Sequence, residues 1–372
     1  MKIIFATGIP FIRQHEIDMY VDSISSKYAI EKWDLSSLYG RSNDMTEVIS
    51  DRNIISSIDE FEMELHRLCQ IDNVVFVTNI LTKKLNLIYN FLKKENVPIV
   101  NINKEGLAAW LSYRAIQKKI SLEYILSTVV KNCVPLRILY KRIFEGRARY
   151  DYLLSSYNFF PEECHCFYKI HNIKYDEYLS ARNSENVMDG EYILFVDAAL
   201  AGHPMFAKSK NPLDEVGYIK SLNYYFDMLE EKYNLPVVIS AHPKSCYNAE
   251  TFHGRPIIKY KTPELIQHCK YVISHYSTSL VNALLLKKPI KVLTSRELEC
   301  SGVKKSVYMG IEFARRTNVE IVDLDNPVFN DFYVDLKAYD KFLDKYILNQ
   351  DRVGVSNSKL IIEFMNLLEG GK

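Results

Sequence analysis

The chain lacks any bias of charge: 47 Lys and Arg stand against 46 Asp and Glu, a formal net charge of +1 over 372 residues. No global field therefore draws in nucleic acid, and only local basic patches remain. It also lacks an apolar run approaching the ~18 residues a membrane span needs. The apolar part of Met1-Lys2-Ile3-Ile4-Phe5-Ala6-Thr7-Gly8 is too short for a signal peptide and reads as a first strand. There are no internal repeats and no low-complexity tracts. Its cysteines, at 69, 133, 164, 166, 246, 269 and 300, form no regular framework. Their odd count fits reduced thiols in a cytoplasmic protein. Cys164-His165-Cys166 is the one crowded cluster, but neighbours on an extended segment point to opposite faces and no second pair stands at zinc-site spacing. No metal site is expected there.

What is present is an alternation of short β-branched runs with amphipathic helices. With 48% apolar and 25% charged residues the chain is globular, and its length suits two domains of roughly 150–200 residues. Strands are expected at Lys2–Ala6, Val74–Val77 and Ile99–Ile102, with helices at Ile12–Lys27 and Leu81–Glu95 and a helical region from about Leu107 to Glu145. Ala181–Gly190 is polar and turn-rich, the best linker in the sequence. A second α/β pattern follows: strands Tyr192–Val196, Val237–Ser240, Ile257–Lys259, Tyr271–Ser274 and Ile290–Thr294, with helices Tyr218–Tyr233 and Ser277–Lys287 between them. Thr262-Pro263-Glu264 opens another helix with a cap, a proline and an early acid. Strands joined by helices imply doubly wound sheets. The expected division is 1–185, 186–350, and a C-terminal helix within 351–372 that packs back on the first domain.

Two motifs in the second half carry the chemistry. Val237-Val238-Ile239-Ser240-Ala241 runs into His242-Pro243-Lys244, and Tyr271-Val272-Ile273-Ser274 runs into His275-Tyr276-Ser277-Thr278-Ser279. Each is a buried strand that breaks into polar residues where an open α/β sheet delivers side chains to a ligand crevice.

This pair resembles that of the two-domain GT-B glycosyltransferases, in which two doubly wound Rossmann-like domains face each other across a cleft. Within them it is similar to the bacterial CMP-sugar-dependent group of sialyltransferases and Kdo transferases. The resemblance covers roughly Tyr192 to Thr294. Ala241-His242-Pro243 fits the family's His-Pro motif and Ser277-Thr278 its Ser-Ser/Thr motif; no Asp/Glu-Asp/Glu-Gly motif is found. It implies an inverting, metal-independent transfer of sialic, legionaminic or pseudaminic acid or Kdo from a CMP-sugar to a glycan or lipid-linked glycan of the bacterial surface, in capsule or lipopolysaccharide synthesis. No cofactor is implied. The same motifs occur in CDP-glycerol- and CDP-ribitol-type polyol phosphotransferases, which usually carry an acid where His275 stands. UDP-hexose GT-B enzymes commonly hold the ribose with a Glu, where this chain has Val281-Asn282-Ala283.

The implied roles follow. His242, Pro243, Lys244, Thr262, Glu264, Ser277, Thr278 and Ser279 bind the nucleotide. His242 donates to, or protonates, the leaving phosphate, and Ser277 and Thr278 neutralise it at a helix start. Asp197, ending the first strand of the second domain, is the preferred general base, with Asp176 in reserve; Thr7, Gly8 and His171 line the acceptor side. Asp323-Leu324-Asp325 reads as a turn before Asn326-Pro327 rather than a metal-binding pair. Arg137, Lys141, Arg142, Arg147 and Arg149, interleaved with apolar residues in 136–149, offer a peripheral contact with the inner membrane.

Overall fold

Short apolar runs that end in polar residues build two all-parallel sheets. The computed structural model describes residues 1–41, 48–102, 106–119, 148–159, 161–201 and 211–370. Most of the basic segment 136–149 lies outside these residues. Two compact units result: Met1–Gly106 with Glu123–Ile173 and Asp351–Lys372, and Leu107–Leu122 with Lys174–Gln350. Among the described residues no helix is long and apolar enough to cross a membrane.

The first unit carries β1 (Lys2–Thr7), β2 (Ala29–Asp34), β3 (Asn53–Ile54), β4 (Val74–Thr78), β5 (Ile99–Ile102), β6 (Tyr150–Ser155) and β7 (Cys164–Lys169). Their spatial order is β3-β2-β1-β4-β5-β6-β7, so the winding reverses between β1 and β4. The central strands are apolar on both faces, as a sheet covered by helices on two sides requires. The helix Asn357–Gly370 belongs to this unit and adds Leu360, Ile361, Phe364 and Met365 to its core. Asn357 seats it: the side chain is fully buried, accepts from the His171 backbone N–H at 2.8 Å and donates to the His171 carbonyl at 3.1 Å. Asp34, also fully buried, latches the ends of β1 and β2 by accepting from the backbone N–H groups of Phe11 and Ser36 and from Arg52 Nε. Burial alone would raise its pKa, but these hydrogen bonds to the ionised form outweigh it and hold the carboxyl below its usual range.

The second unit carries β8 (Ile193–Val196), β9 (Val237–Ala241), β10 (Ile257–Lys259), β11 (Tyr271–Ser274), β12 (Ile290–Thr294) and β13 (Glu320–Asp323). Their order is β10-β9-β8-β11-β12-β13, with the reversal between β8 and β11. Both units are thus Rossmann-like α/β sheets. The long helix Glu215–Tyr233 starts on Asp214, whose side chain accepts from Gly217 N–H, and stops at Asn234 in the left-handed conformation.

Three expectations change. The helix Ile12–Lys27 divides into Arg13–Asp18 and Val21–Ser25, because Tyr20 between them adopts φ 56°. The helix expected over Ser277–Lys287 is shorter, Leu280–Leu285. The chain leaves the first unit at Ile173 rather than 185, since the helix Lys174–Ala181 packs on Thr262–His268 and Leu280–Leu285. The Ala181–Gly190 segment is held there too, with His268 Nε2 donating to the Ser184 carbonyl at 2.9 Å.

One close approach positions the end of β11. Gly310, in the helix Lys304–Thr317, lies so near the strand that an added Cβ would meet the His275 carbonyl oxygen at 2.0 Å. Gly310→Ala is therefore expected to destabilise the protein by about 1–3 kcal/mol, the usual cost of overpacking. A thermal melt checks this, and an unchanged midpoint would mean that helix and strand separate without strain.

Candidate functional site

The carboxyl ends of β9, β8 and β11 lie side by side where the second sheet reverses. Adjacent strands are about 4.8 Å apart, so the ends of β9 and β11 flank that of β8 at roughly 10 Å from each other. Asp197 follows β8, His242 follows β9 and His275 follows β11. A phosphate-sized ligand at such a reversal touches loops from both sides.

Asp197 organises the left of this crevice. It is only 3% exposed. Its Oδ2 accepts from the His242 backbone N–H at 3.1 Å and from the Ser245 hydroxyl at 2.6 Å; its Oδ1 accepts from Ala199 N–H at 2.9 Å and the Tyr247 hydroxyl at 3.2 Å. The first of these bonds ties β8 to the start of the His-Pro loop, and Ala199 N–H holds Ala199 itself at φ 49°. A carboxylate buried and engaged in this way is a positioning residue: its lone pairs hold the loop and are not open to a substrate proton. That moves the base assignment away from Asp197.

The loop it holds is a tight turn. Ser245 N–H donates to the His242 carbonyl at 2.9 Å, with Pro243 in the position that presets such a bend. Lys259, ending β10, donates to the Ser245 carbonyl at 2.5 Å and the Pro243 carbonyl at 3.4 Å. His242 Nδ1 accepts from Lys244 N–H at 3.2 Å. The neutral ring must then carry its proton on Nε2, which makes that edge a donor. Ser245, Tyr247 and Lys259 escaped the sequence reading; a serine at the fourth position of a His-Pro turn is the signal that marks the first of them.

On the other flank His275 is fully buried. Its Nδ1–H donates to the Leu293 carbonyl at 2.9 Å, and its Nε2 accepts from Tyr218 OH, also at 2.9 Å. Burial lowers its pKa to about 4, so the ring is neutral. Burial likewise pushes the Tyr218 phenol well above its usual value. Beyond it Ser277 and Ser279 are half-buried and Thr278 is exposed. Ser277 Oγ accepts from Ser279 N–H at 3.2 Å, a local bond that competes with helix and delays its start to Leu280. The serine keeps its own O–H as a donor.

The other expected site residues fall as follows. Pro243 and Lys244 are exposed on the turn. Thr262 shares a hydrogen bond of 2.8 Å with Ser240 under the end of β9, and Glu264 pairs with Lys261 at 3.1 Å. Asp176 stands in the first turn of Lys174–Ala181, in the second unit rather than the first. His171 is 1% exposed, with Nε2–H donating to the Arg352 carbonyl at 3.0 Å; it anchors the chain before the C-terminal helix and is withdrawn from any acceptor. Thr7 is fully buried and donates to the Ile9 carbonyl at 2.7 Å. Among the described residues no group of His, Cys, Asp and Glu is placed to hold a metal ion. Asp323 and Asp325 serve a turn, Asp323 accepting from Asp325 N–H and Asp325 from Arg296 N–H.

Gly8 borders a cavity of about 340 Å³ inside the first unit. The cavity opens at the carboxyl ends of β1, β4 and β5, where that sheet reverses, and the helix Arg13–Asp18 contributes His15 and Asp18 to it.

Two measurements test these roles. Asp197→Ala strands several buried donors and is expected to cost at least about 2 kcal/mol of stability. A variant with wild-type stability and lost turnover would instead mark Asp197 as chemical. The second concerns acid. His275 titrates near 4 when folded and near 6.5 when unfolded, so the unfolded chain takes up the proton first. Its contribution is whole above about pH 6.5 and drains away as pH falls toward 4, about 3 kcal/mol in all. Urea unfolding at pH 7 and 4.5 should show a smaller pH effect in His275→Gln; parallel losses would clear His275.

No family model and no curated protein matches the chain. Solved structures align along most of it. The UDP-GlcNAc 2-epimerase from Methanocaldococcus jannaschii matches at 12% identity and a TM-score of 0.49, over 98% of this chain and 100% of that one. The S. aureus MnaA–UDP co-structure gives 14%, 0.46, 99% and 97%, and the wall teichoic acid polymerase TagF gives 14%, 0.47, 99% and 88%. At these identities and scores the likenesses assign neither family, activity nor ligand.

Proposed function

We propose that the chain is a GT-B-type glycosyltransferase that moves an ulosonic or nonulosonic acid from a CMP-sugar to a glycan acceptor. The observation that carries this reading is the placement of the His242-Pro243 turn and the Ser277–Ser279 turn on either side of the end of β8, at the reversal of one sheet. In the proposed step the acceptor oxygen forms a bond to the anomeric carbon, and the bond from that carbon to the phosphate oxygen breaks. CMP leaves with the electron pair. Negative charge gathers on one phosphate, so donors fixed in advance stabilise the transition state. His242 Nε2–H and the Ser277 and Thr278 hydroxyls are those donors. Asp197 acts through His242 by setting the loop. A monophosphate leaving group with three such donors needs no divalent cation, and the reading accordingly includes none.

CDP-glycerol- or CDP-ribitol-type transfer shares the two motifs and is the competing reading; neutral His275, where those enzymes usually carry an acid, weighs against it. A UDP-sugar donor is the remaining alternative. Asn282, where a ribose-holding Glu would stand, is 1% exposed and donates to Glu177 at 3.1 Å.

The deciding experiment incubates the protein, with and without EDTA, with CMP-sialic, CMP-legionaminic and CMP-pseudaminic acid, CMP-Kdo, CDP-glycerol and UDP-GlcNAc, and follows the freed nucleotide. CMP from the CMP-sugars alone, undiminished by EDTA, is expected. His242→Ala should lower that rate by about 10²–10⁴-fold with the fold intact. Release from CDP-glycerol only, or a rate that collapses on chelation, would overturn the reading.

A further inference from the structure

An edge strand presents backbone N–H and C=O groups to any strand that can pair with it, and proteins blunt such edges with short strands, charges or proline. Three of the four sheet edges are blunted in this way. β3 is two residues long, β10 is three and ends on Lys259, and β13 is four with Glu320 and Asp323 at its ends. The fourth, β7, is not. It runs for six residues, Cys164–Lys169, with no Asp, Glu, Arg, Lys, proline or glycine before its last residue, and among the described residues no strand pairs beyond it. His165, Cys166 and Phe167 are all exposed. Successive side chains of a strand point to opposite faces, so the middle of β7 is bare on both.

The ladder to β6 fixes which backbone groups point outward. In a parallel pair the N–H and C=O of one residue face the same side, and the side alternates along the strand. Ile170 N–H donates to the Ser155 carbonyl at 3.0 Å, so the backbone of Tyr168 and Cys166 also faces β6. His165 and Phe167 direct theirs away from it.

That spacing is self-complementary. Against an antiparallel copy, about a twofold axis through Cys166, His165 pairs with the partner's Phe167 and Phe167 with the partner's His165. Each pair exchanges both of its outward hydrogen bonds and sets an imidazole beside a phenyl ring on the same face, a favourable cross-strand pair. Charge selects the same sense. Glu162 and Glu163 precede the strand and Lys169 ends it, so antiparallel pairing brings the acidic end of one copy toward the basic end of the other. Parallel pairing would bring like charges together.

We propose that β7 is the interface of a twofold homodimer, in which two first-unit sheets join edge to edge across residues 165–167. A self-complementary contact of this kind closes at two copies. Cys166 and the partner's Cys166 stand on the axis as a non-hydrogen-bonded pair, with Cα atoms about 4.5 Å apart, within the span of a disulfide. One strand pair is smaller than a standard interface, so the dimer is reversible.

Sedimentation velocity on the full chain, from about 1 to 500 µM, should show a monomer–dimer equilibrium with a dissociation constant of about 10–100 µM, as suits so small a contact. Phe167→Pro removes an outward N–H and none that the ladder to β6 uses. It should raise that constant at least tenfold with the thermal midpoint unchanged. Cys166→Glu places like charges opposite each other and should do the same. Diamide gives a second readout on the unaltered chain: it takes two electrons and two protons from a pair of thiols and leaves a disulfide. Peptide mapping should find the crosslink at Cys166, although Cys246 and Cys300 are exposed as well. A chain that stays monomeric throughout, a dimer that both variants leave intact, assembly beyond two copies, or crosslinks at Cys246 or Cys300 with none at Cys166 would each overturn the proposal.

Discussion

A single buried carboxylate sets the geometry of the second unit's crevice. Asp197 joins two strands that are already hydrogen-bonded, β8 and β9, to the loop that leaves the second of them. An ion out of water is tolerated only when donors surround it. Here the donors are a backbone N–H and a hydroxyl of the His-Pro turn, a tyrosine, and the N–H of an alanine in a left-handed conformation. The cost of burying the charge is offset only if all of them are in place, which makes the loop conformation cooperative. His242 inherits its position from that arrangement.

The first unit repeats the device with other residues. Asp34 ends β2, next to β1, and accepts from the backbone that follows β1, from its own downstream turn and from Arg52. In both units the carboxylate sits one strand away from, or at, the point where the sheet reverses, and in both it fixes the loops that border the crevice. A strand end there presents backbone N–H groups without sheet partners, and a buried acid satisfies several at once. This explains why a conspicuous Asp at a strand end reads as catalytic in the sequence and yet serves the backbone in the structure.

Much of the second unit was legible. Val237–Ser240, Ile257–Lys259, Tyr271–Ser274 and Ile290–Thr294 are short β-branched runs that read as strands, and all four are in one parallel sheet, with Ile257–Lys259 half-buried at its edge. The motifs were therefore placed at strand ends by pattern alone, whereas the position of β8 between β9 and β11 was not legible. Strand β2, with Glu31 and Lys32 in its middle, has no such run, because it carries buried ion pairs: Lys32 meets Glu16 at 2.6 Å. Strand β13, Glu320–Asp323, is short and ends on the first residue of the Asp323-Leu324-Asp325 turn, so it was not read from the pattern. Hydrogen-bond commitment was not legible at all. Little in the local sequence distinguishes Asp197, engaged on both oxygens, or His171, spent on Arg352, from open groups, since apart from Ala199 N–H the partners of these side chains lie 45 or more residues away.

The helix Asn357–Gly370 has a consequence for how the chain comes off the ribosome. Its apolar face completes the core built on β1, β4 and β5, and Asn357 closes the backbone at His171. The residues from Lys174 to Gln350 are synthesised in between and form a core of their own. At roughly 5–20 residues per second, the earlier-made sheet waits many seconds with Val75, Val77 and Val100 uncovered, while the later-made one can already condense. The core that is begun first is thus the one that is completed last. A nascent chain stalled before Asn357 would hold a finished second unit and an open, aggregation-prone first one.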